Sequence, residues 1–171
     1  MRDYIWAPWR GAYVASWHGG SAAAGKDECV FCTKFNENRD ADNFILHRGE
    51  RTVIIMNLYP YNNGHIMLIP VRHTADFELL TAEETAEMNL YKKLSVSALK
   101  KALNPDGFNI GMNLGSAAGA GIAQHLHEHI VPRWNGDTNF MPVLGETRVI
   151  SEHMQTTYIK IKSCLEKEIV L

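Results

Sequence analysis

No apolar run in this chain is long enough to cross a bilayer. The longest, such as Ile66-Met67-Leu68-Ile69-Pro70-Val71, fall far short of the roughly 20 residues a spanning helix needs. The N-terminal stretch carries Trp6, Pro8, Trp9 and Arg10 and has neither the apolar core nor the cleavage site of a signal peptide. A cytoplasmic protein without a membrane partner is the expectation. An excess of positive charge is also missing. Lys and Arg number 17 against 19 Asp and Glu, for a net charge of -2. That balance gives no basic footprint for nucleic acid. Cysteine is scarce as well. There are three, and only Cys29 and Cys32 are close together. This excludes a disulfide framework as the organising device and leaves a metal or redox motif.

What the chain does have is 171 residues, 46% of them hydrophobic and 21% charged. These values fit one soluble domain with a proper core. The most informative stretch is Gln124-His125-Leu126-His127-Glu128-His129-Ile130-Val131. Its apolar and β-prone surroundings predict a strand, and a strand sends alternate side chains to one face. His125, His127 and His129 would then line one surface, with Leu126, Glu128 and Ile130 on the other. Imidazole titrates near neutrality, ligates metals and can act as a nucleophile.

The remaining elements follow from periodicity and turn chemistry. Phe44 to His47, Thr52 to Asn57, His65 to Pro70 and Phe108 to Met112 read as strands. Pro60 to Gly64 reads as a turn, and Gly115 to Gly121 as a small-residue loop. Thr81-Ala82-Glu83-Glu84 has the form of a capping box. Met88, Tyr91, Leu94, Ala98 and Ala102 then recur at helical spacing, widened by Leu99 and Leu103, until Asn104-Pro105-Asp106-Gly107 stops the helix. A second helix is predicted from about residue 150 to 168. Strands on both sides of one long helix indicate an α+β fold with a mostly antiparallel sheet. The whole chain reads as a single domain. Residues 1–27 form an aromatic arm and linker, 28–140 a core and 141–171 a C-terminal extension.

The order strand, glycine-rich loop, His-x-His-x-His and Pro132-Arg133-Trp134 resembles the histidine triad family from Cys29 to about Phe140. Asn57-Leu58-Tyr59-Pro60-Tyr61-Asn62-Asn63-Gly64-His65, Asn113 to Gly119 and His129 to Phe140 resemble its branch of diadenosine tetraphosphate phosphorylases, which also run in reverse as ATP adenylyltransferases. The resemblance implies the histidine triad fold and a homodimer. It also implies nucleotidyl transfer among adenine nucleotides, dinucleoside polyphosphates and inorganic phosphate. His127 would be the nucleophile, which agrees with the capacity of a neutral imidazole to attack phosphorus. His129 would hydrogen-bond on the phosphate side, and His65 would sit buried behind the nucleophile and order its ring. Asn57 would contact the ribose hydroxyls. Asn113 and the backbone of Gly119, Ala120, Gly121 and Ile122 would hold phosphate, and Trp134 would shape the site. Position 121 carries a side-chain donor in many relatives and lacks one here.

In zinc-bearing members of the family the first triad histidine is a metal ligand. The resemblance therefore implies a structural zinc held by Cys29, Cys32, His73 and His125, the tetrahedral set of two thiolates and two imidazoles. A second divalent ion such as Mg2+ would serve the polyphosphate. Two competing readings share these residues: a hydrolase of dinucleoside polyphosphates or nucleoside phosphoramidates that uses water, and a nucleotide-sensing module without turnover. Glu128 departs from the apolar residue expected between the second and third histidines and is expected at a surface or interface. His18, His47 and His153 are expected on the surface, and Cys164 as a packing residue. Trp6 and Trp9 are expected to anchor the arm on the body or on a partner subunit.

Overall fold

The computed structural model describes residues 29–137 and 152–170. The aromatic arm with Trp6, Trp9 and His18, and the stretch from Thr138 that includes Phe140, lie outside the described residues. Five strands, β1 Ile45–Arg48, β2 Thr52–Met56, β3 Ile66–Pro70, β4 Gly107–Met112 and β5 Glu128–Arg133, form one sheet in the order β1-β2-β3-β5-β4. Every neighbouring pair is antiparallel. The helices are α1 Val30–Asn36, α2 Ala82–Leu103 and α3 Met154–Val170. The α+β architecture is the one expected.

β2 and β3 are buried at every position, because both faces of the sheet are covered. On one face Ile54, Met56, Ile66, Leu68 and Ile130 pack with Met88, Ala98 and Leu99 of α2 and Tyr158, Ile161 and Leu165 of α3. On the other, Ile45, Val53, Ile55, Met67 and Ile69 pack under Phe31, Cys29 and Cys32. Strand alternation assigns the two sets. α2 begins as expected: the Thr81 hydroxyl accepts from the Glu84 N–H, and the Glu84 carboxylate accepts from the Thr81 N–H. It ends at Asn104, whose φ of 47° is left-handed and precedes Pro105. Cys164 packs against the core, and His153 is exposed, both as expected.

Several expectations need correction. α1 falls on a stretch that lacked a helical signal of useful length. Its seven residues are held by tertiary packing, with Phe31 stacked on Phe35 one turn later. β1 starts at Ile45 because Phe44 adopts a φ of 57°. β5 starts at Glu128, so His125 and His127 precede the ladder. The Leu126 N–H donates to the Thr74 carbonyl at 2.7 Å, which draws this stretch onto the segment leaving β3. Glu128 is buried, not superficial. It projects toward α2 and pairs with Lys92 at 2.8 Å. His47 is half-buried, and its Nε2 contacts the Tyr91 hydroxyl at 3.0 Å. C-terminal helix α3 starts at Met154, where about 150 was expected.

The turn from Asn57 to His65 depends on Gly64, whose φ is +71° and whose ideal Cβ would lie 2.3 Å from Leu103 Cδ1. Gly115 is also left-handed, at +76°, with nothing within 4 Å. Each Gly→Ala change incurs the left-handed penalty of about 1–2 kcal/mol, and Gly64→Ala adds the displacement of Leu103. Denaturant unfolding of the two variants should therefore show Gly64→Ala as the less stable, with the excess reporting the packing of this turn on α2.

Candidate active site and metal cluster

Two groups of side chains meet at the segment that enters β5. The first is Cys29, Cys32, His73 and His125, whose donor atoms all lie within 4.8 Å of one another. Cys29 and Cys32 flank the first turn of α1, His73 follows β3, and His125 precedes β5. Cys29 and His125 are fully buried. Burial is the main cause that pushes the His125 pKa down to about 4, against the opposing pull of the Pro70 carbonyl, with His73 and His127 adding to the fall. The ring is therefore neutral near pH 7. Its Nε2 lies 2.8 Å from the Pro70 carbonyl oxygen. A carbonyl only accepts, so that nitrogen carries the proton and Nδ1 presents its lone pair to the cluster.

The distances fit a metal. His125 Nδ1 is 3.3 Å from Cys29 Sγ and 3.6 Å from Cys32 Sγ, and His73 Nδ1 is 3.4 Å from Cys32 Sγ. Tetrahedral zinc bonds of about 2.3 Å to sulfur and 2.0 Å to nitrogen set S···N edges of about 3.5 Å. The four residues could hold zinc with every position taken by protein, which suits a structural ion.

The second group is His65, His127 and His129. The His127 Nδ1 lies 2.8 Å from the backbone carbonyl oxygen of His125. That nitrogen must donate, so Nε2 keeps the lone pair. Burial lowers the His127 pKa, with the same carbonyl pulling the other way. His127 is thus a neutral imidazole with one fixed basic nitrogen. Phe31 of α1 packs edge-on against it, ring centroids 5.4 Å apart.

A parallel argument fixes His129. The Tyr61 N–H donates to His65 Nδ1 at 3.0 Å, so the His65 proton is on Nε2. That Nε2 lies 2.9 Å from His129 Nδ1, which must accept, and the His129 proton is on Nε2. His127 and His129 have ring centroids 4.9 Å apart. One ring offers a lone pair beside another that offers an N–H. His65 is buried as expected, but it stands behind His129. The group behind His127 is the carbonyl of His125.

Both rings open into one cleft. Asn57, Gly119, Gly121 and Ile122 line it with them, as the sequence suggested. The Asn57 side-chain oxygen Oδ1 accepts from the Tyr59 backbone N–H at 2.9 Å, which steadies the turn. Asn113, Ala120 and Trp134 are not among the lining residues. Trp134 sits elsewhere because its indole N–H donates to the Asn104 carbonyl at the end of α2. Val30, Phe31 and Lys34 of α1 and Tyr59 and Tyr61 also line the cleft. Sequence reading passed over them, although Val30 and Phe31 lie inside the Cys-x-x-Cys motif and Lys34 follows it at helical spacing.

The HIT domain family model matches residues 38–136. The chain belongs to this family. It is 35% identical to the AP-4-A phosphorylase of Mycobacterium tuberculosis over 156 residues, 90% of this chain and 79% of that protein. Among solved structures, this HIT protein resembles a zinc-bound histidine triad family protein from Mycobacterium smegmatis. The TM-score is 0.68 at 28% identity, covering 84% of this chain and 96% of that one. It also resembles a histidine triad nucleotide-binding protein from Sulfolobus tokodaii, with a TM-score of 0.66 at 28% identity over 81% of this chain and 93% of the other. No helix among the described residues is long and apolar enough to cross a membrane.

Elemental analysis of protein purified without a histidine tag is expected to find one zinc per chain, and Cys32→Ser to lose it. A zinc-free wild-type protein that keeps its thermal stability would show that this cluster is a set of packed thiols and imidazoles only.

Proposed function

We propose that this HIT protein transfers a nucleotidyl group through His127, and that its reaction is phosphorolysis of diadenosine tetraphosphate to ATP and ADP. The observation that carries the proposal is the fixed tautomer of His127, a buried neutral ring with its lone pair on Nε2 beside the N–H of His129. The 35% identity to a named AP-4-A phosphorylase supports the choice of substrate.

In the first step the Nε2 lone pair forms a bond to the α-phosphorus, and the P–O bond to the leaving ATP breaks. The proton stays on Nδ1, hydrogen-bonded to the His125 carbonyl, so the positive charge that develops on the ring is stabilised through that hydrogen bond. His129 donates its Nε2–H to a phosphoryl oxygen, and His65 holds that ring in the donating form. The backbone at Gly119 to Ile122 lies where it can approach the phosphate closely. In the second step an oxygen of inorganic phosphate attacks the same phosphorus, the P–N bond breaks, and ADP leaves. The four cluster residues would keep zinc clear of the reaction. Bound there, the ion would tie α1 to the approach to β5.

The same family membership leads us to propose a homodimer. β4 forms an outer edge of the sheet among the described residues, and it exposes Ile110.

Product analysis tests the reading. ATP and ADP should form from diadenosine tetraphosphate only when phosphate is supplied. AMP and ATP without phosphate would make water the acceptor and leave the role of His127 in place. His127→Ala should lower turnover by roughly a thousandfold or more and abolish the acid-labile nucleotidyl-enzyme. Normal turnover in that variant would overturn the mechanism.

A further inference from the structure

The run Pro132-Arg133-Trp134-Asn135-Gly136-Asp137 carries part of the family resemblance, yet the reaction above gives it no task. β5 ends at Arg133, and the chain turns back at Gly136, whose φ is +80°. The Asp137 N–H donates to the Trp134 carbonyl at 3.1 Å and closes that turn. Asp137 is thereby returned to the end of β5, with its side chain only 10% exposed. One carboxylate oxygen accepts from Arg133 Nε at 2.6 Å and from the Trp134 N–H at 3.0 Å, and the other accepts from the Arg133 guanidinium at 2.7 Å. The first oxygen also accepts from the Asn62 side-chain nitrogen at 2.8 Å, a bond that spans 75 positions of the chain.

Asn62 sits at the apex of the turn that joins β2 to β3. The ends of that turn are tied to each other, because the Asn57 N–H donates to the His65 carbonyl at 2.9 Å. The apex is tied to the exit of β5. The Asn62 side-chain nitrogen donates to the Pro132 carbonyl at 3.2 Å as well as to Asp137, and its side-chain oxygen accepts from the Asn63 N–H at 3.0 Å. An amide nitrogen has two protons, and both are given to the β5 exit. The residue before Asn62 is Tyr61, whose N–H donates to His65 Nδ1. The Tyr61 ring lies beside the two imidazoles, its centroid 4.6 Å from that of His65 and 5.5 Å from that of His129.

We propose that Asp137 is a positioning residue for His129, acting through Asn62 and the Tyr61 N–H. This rests on the nucleotidyl-transfer reading above, in which His129 donates to the phosphoryl group. His129 has a proton on Nε2 while its Nδ1 accepts from His65, and His65 donates from its Nε2 while its own Nδ1 accepts from Tyr61. Loss of the Asp137 bond frees Asn62 and lets the Tyr61 peptide leave the His65 ring. His65 is then able to carry its proton on Nδ1 and accept from His129 Nδ1–H. That reversal leaves a lone pair on His129 Nε2, where the phosphoryl oxygen needs a donor, and two acceptors would face each other. Asp137 touches neither ring. It holds the peptide that decides which nitrogen is protonated.

The test pairs imidazole 15N NMR of the unliganded full-length protein with the kinetics of diadenosine tetraphosphate phosphorolysis, for the wild type and the variants Asp137→Ala, Asn62→Ala and Thr157→Val. The wild type should show His65 and His129 protonated on Nε2. Asp137→Ala should shift both rings toward a mixture of tautomers and lower kcat by roughly tenfold with KM nearly unchanged. Asn62→Ala leaves the Arg133 pair of Asp137 in place and should do the same, and the double variant should be no worse than the worse single one. Thr157→Val releases the neighbouring Asn63, whose side-chain oxygen accepts from the Thr157 hydroxyl at 3.1 Å. It loosens the same turn from α3 and should leave the tautomers and kcat as they are. The assignment is overturned if the imidazole spectra of both alanine variants match the wild type, if the two changes add in full, or if Thr157→Val has the same effect. It is also overturned if the tautomers shift and kcat does not. The spectra are read without substrate, so they stand or fall apart from the reaction. Absence of turnover in a wild type with the expected tautomers would instead remove the nucleotidyl reading, and the catalytic part of this assignment with it.

Discussion

The hydrogen bonds of His125 hold the site together. Its side chain gives a proton to the Pro70 carbonyl and turns its lone pair to the two cysteine sulfurs. Its own backbone carbonyl accepts the hydrogen bond from His127 Nδ1–H. One residue therefore joins the exit of β3, the start of α1 and the orientation of the His127 ring. Rotation of that peptide would loosen both groups at once. The fully buried position of His125 makes such a rotation costly, since the Pro70 carbonyl would lose its donor.

The two tautomer assignments are opposite because their partners are opposite. His127 faces a backbone acceptor, and His65 faces a backbone donor. The His65 imidazole passes that distinction across to His129, which is likewise protonated on Nε2, opposite to His127. His127 and His129 thus hold complementary protonation patterns through the backbone groups they and His65 meet. A carboxylate behind either ring would instead stabilise an imidazolium, which is the wrong form for a nucleophile.

The sequence carried the strands, the long helix with its capping box, and the family signature, because each depends on local pattern. It also brought Cys29, Cys32, His73 and His125 together by resemblance, and their mutual distances agree with that grouping. Three features were not legible. α1 is too short for periodicity to reveal, and packing of Phe31 and Cys32 decides it. The position of His65 behind His129 depends on strand register, since the residues at issue are 64 apart in the chain. The turn at Trp134 was read from its nearness to the triad, but its indole finds a carbonyl at the end of α2 instead.

The cluster also bears on the unfolded chain. Cys29 and His125 are 96 positions apart, and most of the sheet lies between them. A bridge through one ion would act as a cross-link that closes a loop of more than half the chain. By the chain-entropy account of disulfides, a loop of that length is worth on the order of 4–5 kcal/mol. The bridge would weigh on the denatured ensemble as heavily as on the native contacts. Loading and folding would then be one thermodynamic event.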